Sequence, residues 1–191
     1  SKVVHEITAA AVKSDHFKET AIEILTLLND RRYDCAGIKR SLLLYEVRQA
    51  IEEILNSVPP ASFGNPGRFK RIDWHTRQEL RPPAGEEQVL IINGRDFPPE
   101  GVDTSARLAV TACSLGWKRF IVYGLRGQRF LGCGFGPDTK GVRLDIYGSS
   151  GDYLASGIDG MEISVHDNGQ DQLGQIMKSG KLVVYLSLIH I

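Results

Sequence analysis

The residues best placed to do chemistry are Gly132-Cys133-Gly134-Phe135-Gly136, a thiol set among three glycines. A glycine-rich loop cradles phosphate when it follows a strand and opens a helix, because the free N–H groups of the helix start then face the anion. Here the third glycine comes one position too early for a G-x-G-x-x-G fingerprint, and Pro137-Asp138 follows where a helix should begin. A nucleotide-binding enzyme using residues 118–136 is therefore the competing reading rather than the leading one. Cys133 is a nucleophile only as a thiolate, and no His or Lys within the motif lowers its pKa. Asp145, Glu162 and His166 fall on outward positions of alternating segments and are read as solvated. Asp152 and Asp171 occupy the same place in two successive repeats and are read as corner carboxylates that accept backbone N–H bonds. Trp74-His75 is read as structural, and no metal-ligand spacing is present. No catalytic, cofactor-binding or metal-binding residue is expected in the chain.

These groups need elements to hold them, and the elements are announced by a repeat of 19 residues. Leu144, Ile163 and Leu182 fall in step, as do Ile146, Val165 and Val184, and Asp152 and Asp171. Val142 to Tyr147 and Met161 to His166 alternate apolar with polar side chains, the pattern of a strand with one face inward. A fixed period of this length predicts a solenoid whose coils bury apolar faces against one another. Thirteen of the twenty glycines lie from Gly124 to Gly180, at the expected coil corners, where positive φ carries no steric cost for glycine. With about five residues bulging out around Pro137 to Gly141, Gly127-Gln128-Arg129-Phe130 is expected to lie over Gly151-Asp152-Tyr153-Leu154.

Upstream, apolar residues at helical spacing predict two helices within residues 15–57, broken near Asn29 to Gly37. Phe17, Ala21, Ile24, Leu25 and Leu28 line the first, and Leu43, Val47, Ile51, Ile54 and Leu55 the second. Residues 59–87 hold five of the eight prolines, with Gly64 and Gly67, and read as a linker in which Phe69, Ile72 and Trp74 are anchors. Residues 88–124 read strand, helix, strand: Gln88 to Ile92, a helix capped by Asp103 or Thr104 and ending near Gly116, then Lys118 to Tyr123. This unit is expected to cap the solenoid's open end. The fold class is thus α+β: an N-terminal helical hairpin (1–58), a linker (59–87) and a glycine-rich right-handed parallel β-helix (88–185) with a strand-helix-strand cap.

Bulk composition narrows the partners. Lys plus Arg equals Asp plus Glu, 23 each, so there is no electrostatic footprint for nucleic acid or an anionic membrane. No apolar run reaches the length of a membrane span. Three widely spaced cysteines, Cys35, Cys113 and Cys133, fit a reducing cytoplasm better than a disulfide framework. Leu186 to Ile191 break the strand-and-turn grammar, resemble the translation of a sequencing-adapter end, and are set aside as a non-native tail (186–191). A chain cut at that point would continue into further coils.

The motifs taken together resemble a known family. Gly127-Gln128-Arg129-Phe130, the Gly132-x-Gly134-x-Gly136 cluster, Gly151-Asp152-Tyr153-Leu154-Ala155-Ser156-Gly157 and Gln170 to Gly180 are similar to the GXGXG domain, the C-terminal β-helix of the glutamate synthase large subunit. The likeness covers about residues 88–185; residues 1–87 have no counterpart in it. Related domains belong to formylmethanofuran dehydrogenase, as one of its subunits, and to N-methylglutamate synthase; both stand as alternatives. The resemblance implies that Gly127, Gly132, Gly134, Gly136, Gly151, Asp152, Gly157, Gly160, Asp171, Gly174 and Gly180 are structural motif positions. It also implies a non-catalytic scaffold serving glutamate biosynthesis and ammonia assimilation. FMN and an iron–sulfur cluster would then belong to partner parts. The partners it implies are the FMN-binding synthase and glutamine amidotransferase domains or subunits.

Overall fold

A computed structural model of the chain describes residues 1–35, 37, 39–61 and 67–185. The expected tail at 186–191, and Gly64 of the expected linker, lie outside the described residues. The chain divides into two compact units, Ser1–Pro59 and Pro60–Ile191.

Among the described residues the first unit holds three helices, α1 (Lys2–Lys13), α2 (Asp15–Asp30) and α3 (Arg40–Asn56), each touching the other two. The expected hairpin therefore gains a third member. In α1, Val4, Thr8 and Ala11 form its buried face at helical spacing, and the Ser1 side chain accepts from Val4 N at 3.5 Å as N-cap. The buried stripe of α2 is Ala21, Ile22, Leu25 and Asn29, while Phe17 and Ile24, expected inside, are exposed. Polar Asn29 is accommodated because Arg48 Nε donates to its Oδ1 at 3.3 Å. In α3, Leu44, Val47, Ile51, Ile54 and Leu55 are buried, close to expectation.

The second unit is built on one sheet of six parallel strands in the order β1-β2-β3-β4-β5-β6. These are β1 (Phe69–Ile72), β2 (Val89–Asn93), β3 (Arg119–Tyr123), β4 (Arg143–Tyr147), β5 (Asp159–Val165) and β6 (Ser179–Val184). Helix α4 (Ser105–Ser114) joins β2 to β3. Thr104 is its N-cap, the hydroxyl accepting from Arg107 N at 3.2 Å, and Gly116 follows its end. Ala106, Ala109 and Ala112 present a smooth face to the same core as Leu90, Phe120 and Val122, which lets helix and sheet approach closely.

Among the described residues the fold is therefore α/β, with an open parallel sheet and four helices, not a right-handed parallel β-helix. A β-helix needs further strands in every coil, arranged as additional sheets. Among the described residues, the connections after β3, β4 and β5 carry turns and one isolated bridge, Ser150↔Gly169. The 19-residue period is instead the register of a single sheet: Leu144 pairs with Ile163 and Ile163 with Leu182, as Ile146 pairs with Val165 and Val165 with Val184. A register repeat and a solenoid repeat look alike in sequence, since both place like residues side by side. The strand-helix-strand segment is likewise part of this sheet rather than a cap on it. The expected linker supplies β1, with Phe69 pairing with Val89 and Ile72 with Ile92. Trp74 does anchor as expected, packing edge-to-face on Phe97 at 5.4 Å.

A buried charge cluster ties β1 to the loop before β2. Lys70 is fully buried with its Nζ 3.6 Å from Glu87, and Arg81 grips the Glu87 carboxylate with two bonds of 2.6 and 2.7 Å. That bidentate guanidinium holds the Glu87 carboxyl below the ordinary range, against the opposing effect of burial.

Candidate functional site

The glycine motifs converge on the three connections that follow β3, β4 and β5, and the backbone there shows why glycine recurs. Phe130, Gly132, Gly134, Gly136 and Asp138 all have positive φ; so do Tyr153, Ala155 and Gly157, and then Gln172, Gly174 and Ile176. Every second residue is left-handed, and the conformation persists where the residue is not glycine. Gly132, Ala155 and Gly174 hold equivalent places, because Ala155 N donates to Leu131 O and Gly174 N to Leu154 O, each at 2.8 Å. G-x-G-x-G is thus the signature of an alternating left-handed turn that hydrogen-bonds to its copies.

This equivalence shifts the expected overlay by one residue. Phe130 lies with Tyr153, not Leu154: their rings stack at 5.3 Å, and Phe130 N donates to Asp152 O at 3.1 Å. Gly151 lies against both Gly127 and Gln128, its N–H donating to Gln128 O at 2.9 Å. Between β3 and β4 the expected insertion of about five residues is present, since Phe120 pairs with Leu144, 24 positions on, against 19 from Leu144 to Ile163, and one of the five precedes Phe130. A slip of one residue is invisible to a pattern in which glycines abound on both sides.

The bare faces of these glycines are turned mostly to protein. A Cβ on Gly132 would fall on Ile163 Cδ1, one on Gly151 on Gly127 O, and one on Gly180 on Met161 O. On Gly160 it would lie 2.8 Å from Lys140 N, and on Gly174 3.3 Å from Leu182 Cδ2. Gly127, Gly136 and Gly157 have room around them. No helix follows the Gly132–Gly136 cluster; the next regular element is β4. Cys133 is half-buried with its Sγ donating to Tyr153 O at 2.9 Å, and burial pushes its thiol up. Asp152 Oδ1 accepts from Asp171 N at 3.3 Å, the corner role read for it, and Asp152 also lies 3.7 Å from Arg129.

The acid and the histidine expected on the outer face behave differently. Asp145 is only 7% exposed and His166 4%. His166 Nε2 lies 3.3 Å from Asp145 Oδ1, and Arg143 donates to both Asp145 oxygens at 3.0 and 3.2 Å. Burial alone would raise the Asp145 pKa, but the His166 bond and the Arg143 charge outweigh it and hold the carboxyl below its ordinary value. The His166 ring is stacked between Tyr147, at 4.6 Å, and Tyr185, at 5.3 Å. Strand alternation missed this because the aromatic column, itself spaced by 19 residues, roofs what would otherwise be a solvated face. Glu162 is exposed, as read.

An open groove of about 410 Å³ lies at the start of α4, lined among others by Arg77, Phe97, Asp103, Thr104, Arg107 and Leu108. Arg77 is stacked on Trp74, its guanidinium 3.5 Å from the ring centre. His75 is exposed, with its backbone N–H bonded to Asp73 Oδ1 at 3.0 Å. Nothing in the local sequence marks this groove, since its walls come from three separated segments. Among the described residues, no group of three or more His, Cys, Asp or Glu side chains converges, and no helix is long and apolar enough to cross a membrane.

Chemically, the turn stack can hold backbones at close spacing, and the Asp145–His166 pair can fix the aromatic column beside it. Comparison with protein-family models, with curated proteins and with solved structures finds no match to this chain.

Proposed function

We propose that the chain is a non-catalytic scaffold module of a glutamate-synthase-like oxidoreductase of the cytoplasm. It holds a glutamine amidotransferase part and an FMN- and iron–sulfur-bearing synthase part in fixed relation. The observation that supports this role is the recurrence of one left-handed turn on three successive connections, with the G-x-G-x-G residues at its strained positions. The support comes from the motifs rather than the architecture, since the sheet is open where the family resemblance implied a β-helix. Turns bonded to their copies are stiff, and stiffness is what a spacer between two reaction centres needs.

The scaffold role is tested by isolating the tagged chain together with the products of the reading frames adjoining its gene. FMN absorbance should co-elute with the chain, and the chain alone should show no melting shift with NAD, FMN or ATP. A several-degree stabilisation of the isolated chain by one of these nucleotides, lost on altering Gly134, would overturn it in favour of a nucleotide-binding enzyme.

A further inference from the structure

The groove beside α4 has no part in the scaffold role, yet its walls are chemically sorted. Helix α4 has two faces. Ala106, Ala109 and Ala112 pack into the core, while Thr104, Arg107, Leu108 and Leu115 recur at helical spacing along the groove. From Thr104 to Leu115 that stripe runs about 16 Å. The other walls come from Arg77 and Leu80, after β1, and from Phe97 and Val102, after β2. Val102 is 74% exposed, an apolar side chain open to whatever enters. A volume of about 410 Å³ falls in the range of small-molecule sites, roughly 300–1,000 Å³.

Charge narrows the class of ligand. The ionised groups of the lining are Arg77, Arg107 and Asp103, two cations against one anion. Arg77 is held over the Trp74 ring and donates through Nη1 to Trp74 O, while its Nε has no acceptor among the described residues. Among those residues neither Arg77 nor Arg107 forms an ion pair. A guanidinium positioned in advance, with no carboxylate of its own, is suited to taking one through two parallel N–H bonds. Asp103 on the same lining opposes a second negative charge, which favours a monoanion over a phosphate dianion. We propose that this groove binds a small organic monocarboxylate with an apolar body. Arg77 and Arg107 take the carboxylate, and the body lies along Leu80, Phe97 and Leu108.

The probe is phenylbutanoate, titrated calorimetrically into the whole chain, with its neutral amide, acetate and inorganic phosphate as comparators. Saturable binding is expected, and each comparator should bind roughly 10-fold or more weakly. Arg107 is exposed, so Arg107→Ala should keep the parent's circular dichroism while weakening phenylbutanoate about 5-fold or more. The amide should bind parent and variant equally, a split that a merely structural loss would not give. Arg77→Gln should also weaken the carboxylate, and Asp103→Asn should tighten it. Arg126→Ala, which removes an exposed cation outside the groove, should leave it unchanged. No saturable binding, equal binding of the amide, or indifference to Arg107→Ala would each overturn the proposal. So would acetate or phosphate binding as tightly as phenylbutanoate, the mark of a plain anion site. Tighter, Arg107-dependent binding of a hexaglutamate peptide would overturn it too, giving the groove to acidic protein segments.

Discussion

His166 Nε2 and Asp145 Oδ1 lie 3.3 Å apart in a nearly closed site, roofed by Tyr147 and Tyr185. The pair links the charge of β4 to the ring column that follows β5. Because the Asp145 carboxyl titrates lower folded than unfolded, its stabilisation is fully present above the unfolded value of ~3.9. It is lost as pH falls through the folded value. Asp145→Asn should cost about 3 kcal/mol at pH 7, by leaving Arg143 and His166 without their anion. Urea unfolding from pH 7 to pH 3 checks this: the gap between parent and variant should close toward the acid end.

Glu87 provides a second, independent test. Its carboxylate is shared by Arg81 and buried Lys70, so Glu87→Gln should destabilise by about 3 to 5 kcal/mol at neutral pH. The Glu87 pKa is also lowered by folding, so the parent loses this contribution on acidification while the variant has none to lose. Chemical denaturation at pH 7 and at pH 3, well below the unfolded value of ~4.3, separates the two.

Two glycines of the motif region should respond very differently to the same added methyl. Both Gly136 and Gly180 have positive φ, at 83° and 107°, but Gly136 has nothing within 4 Å of a Cβ whereas Gly180 faces Met161 O. Gly136→Ala should therefore cost about 1 kcal/mol, the left-handed penalty alone. Gly180→Ala adds a backbone collision and should cost roughly 2 to 4 kcal/mol. Equal losses in thermal melts would contradict the turn geometry.

Ile176 offers a gain. It is a β-branched residue at φ 48° with its side chain exposed, so it bears left-handed strain with little burial in return. Ile176→Asn should stabilise the isolated chain by roughly 1 kcal/mol, because asparagine tolerates that region. Differential scanning calorimetry would show a raised melting temperature; a lowered one would mean Ile176 is held by packing instead.

Much of the second unit was legible in the chain. The strands from Val89 onward, the Thr104 cap and the 19-residue register were all carried by alternation, capping chemistry and periodicity. What periodicity cannot distinguish is one sheet with stacked returns from several sheets wound together, because Leu144, Ile163 and Leu182 align in both. β1 was hidden by its setting: four residues among prolines, with Lys70 breaking the apolar run and paired with Glu87, seventeen positions on. α1 was missed because Thr8 and Ala11 make a weakly apolar face that needs tertiary partners to be recognised. The burial of His166 was missed for a related reason. Its cover comes from Tyr147 and Tyr185, each 19 residues away, and an isolated strand pattern assigns that side to water.

The scaffold role is tested most directly by comparing glutamine-dependent with ammonia-dependent glutamate formation in the reconstituted assembly, with and without this chain. A spacer that aligns two centres should be needed for the first and nearly dispensable for the second. Omitting the chain should therefore abolish glutamine-dependent synthesis while ammonia-dependent synthesis persists within about twofold. Equal loss of both activities, or no loss of either, would contradict the account.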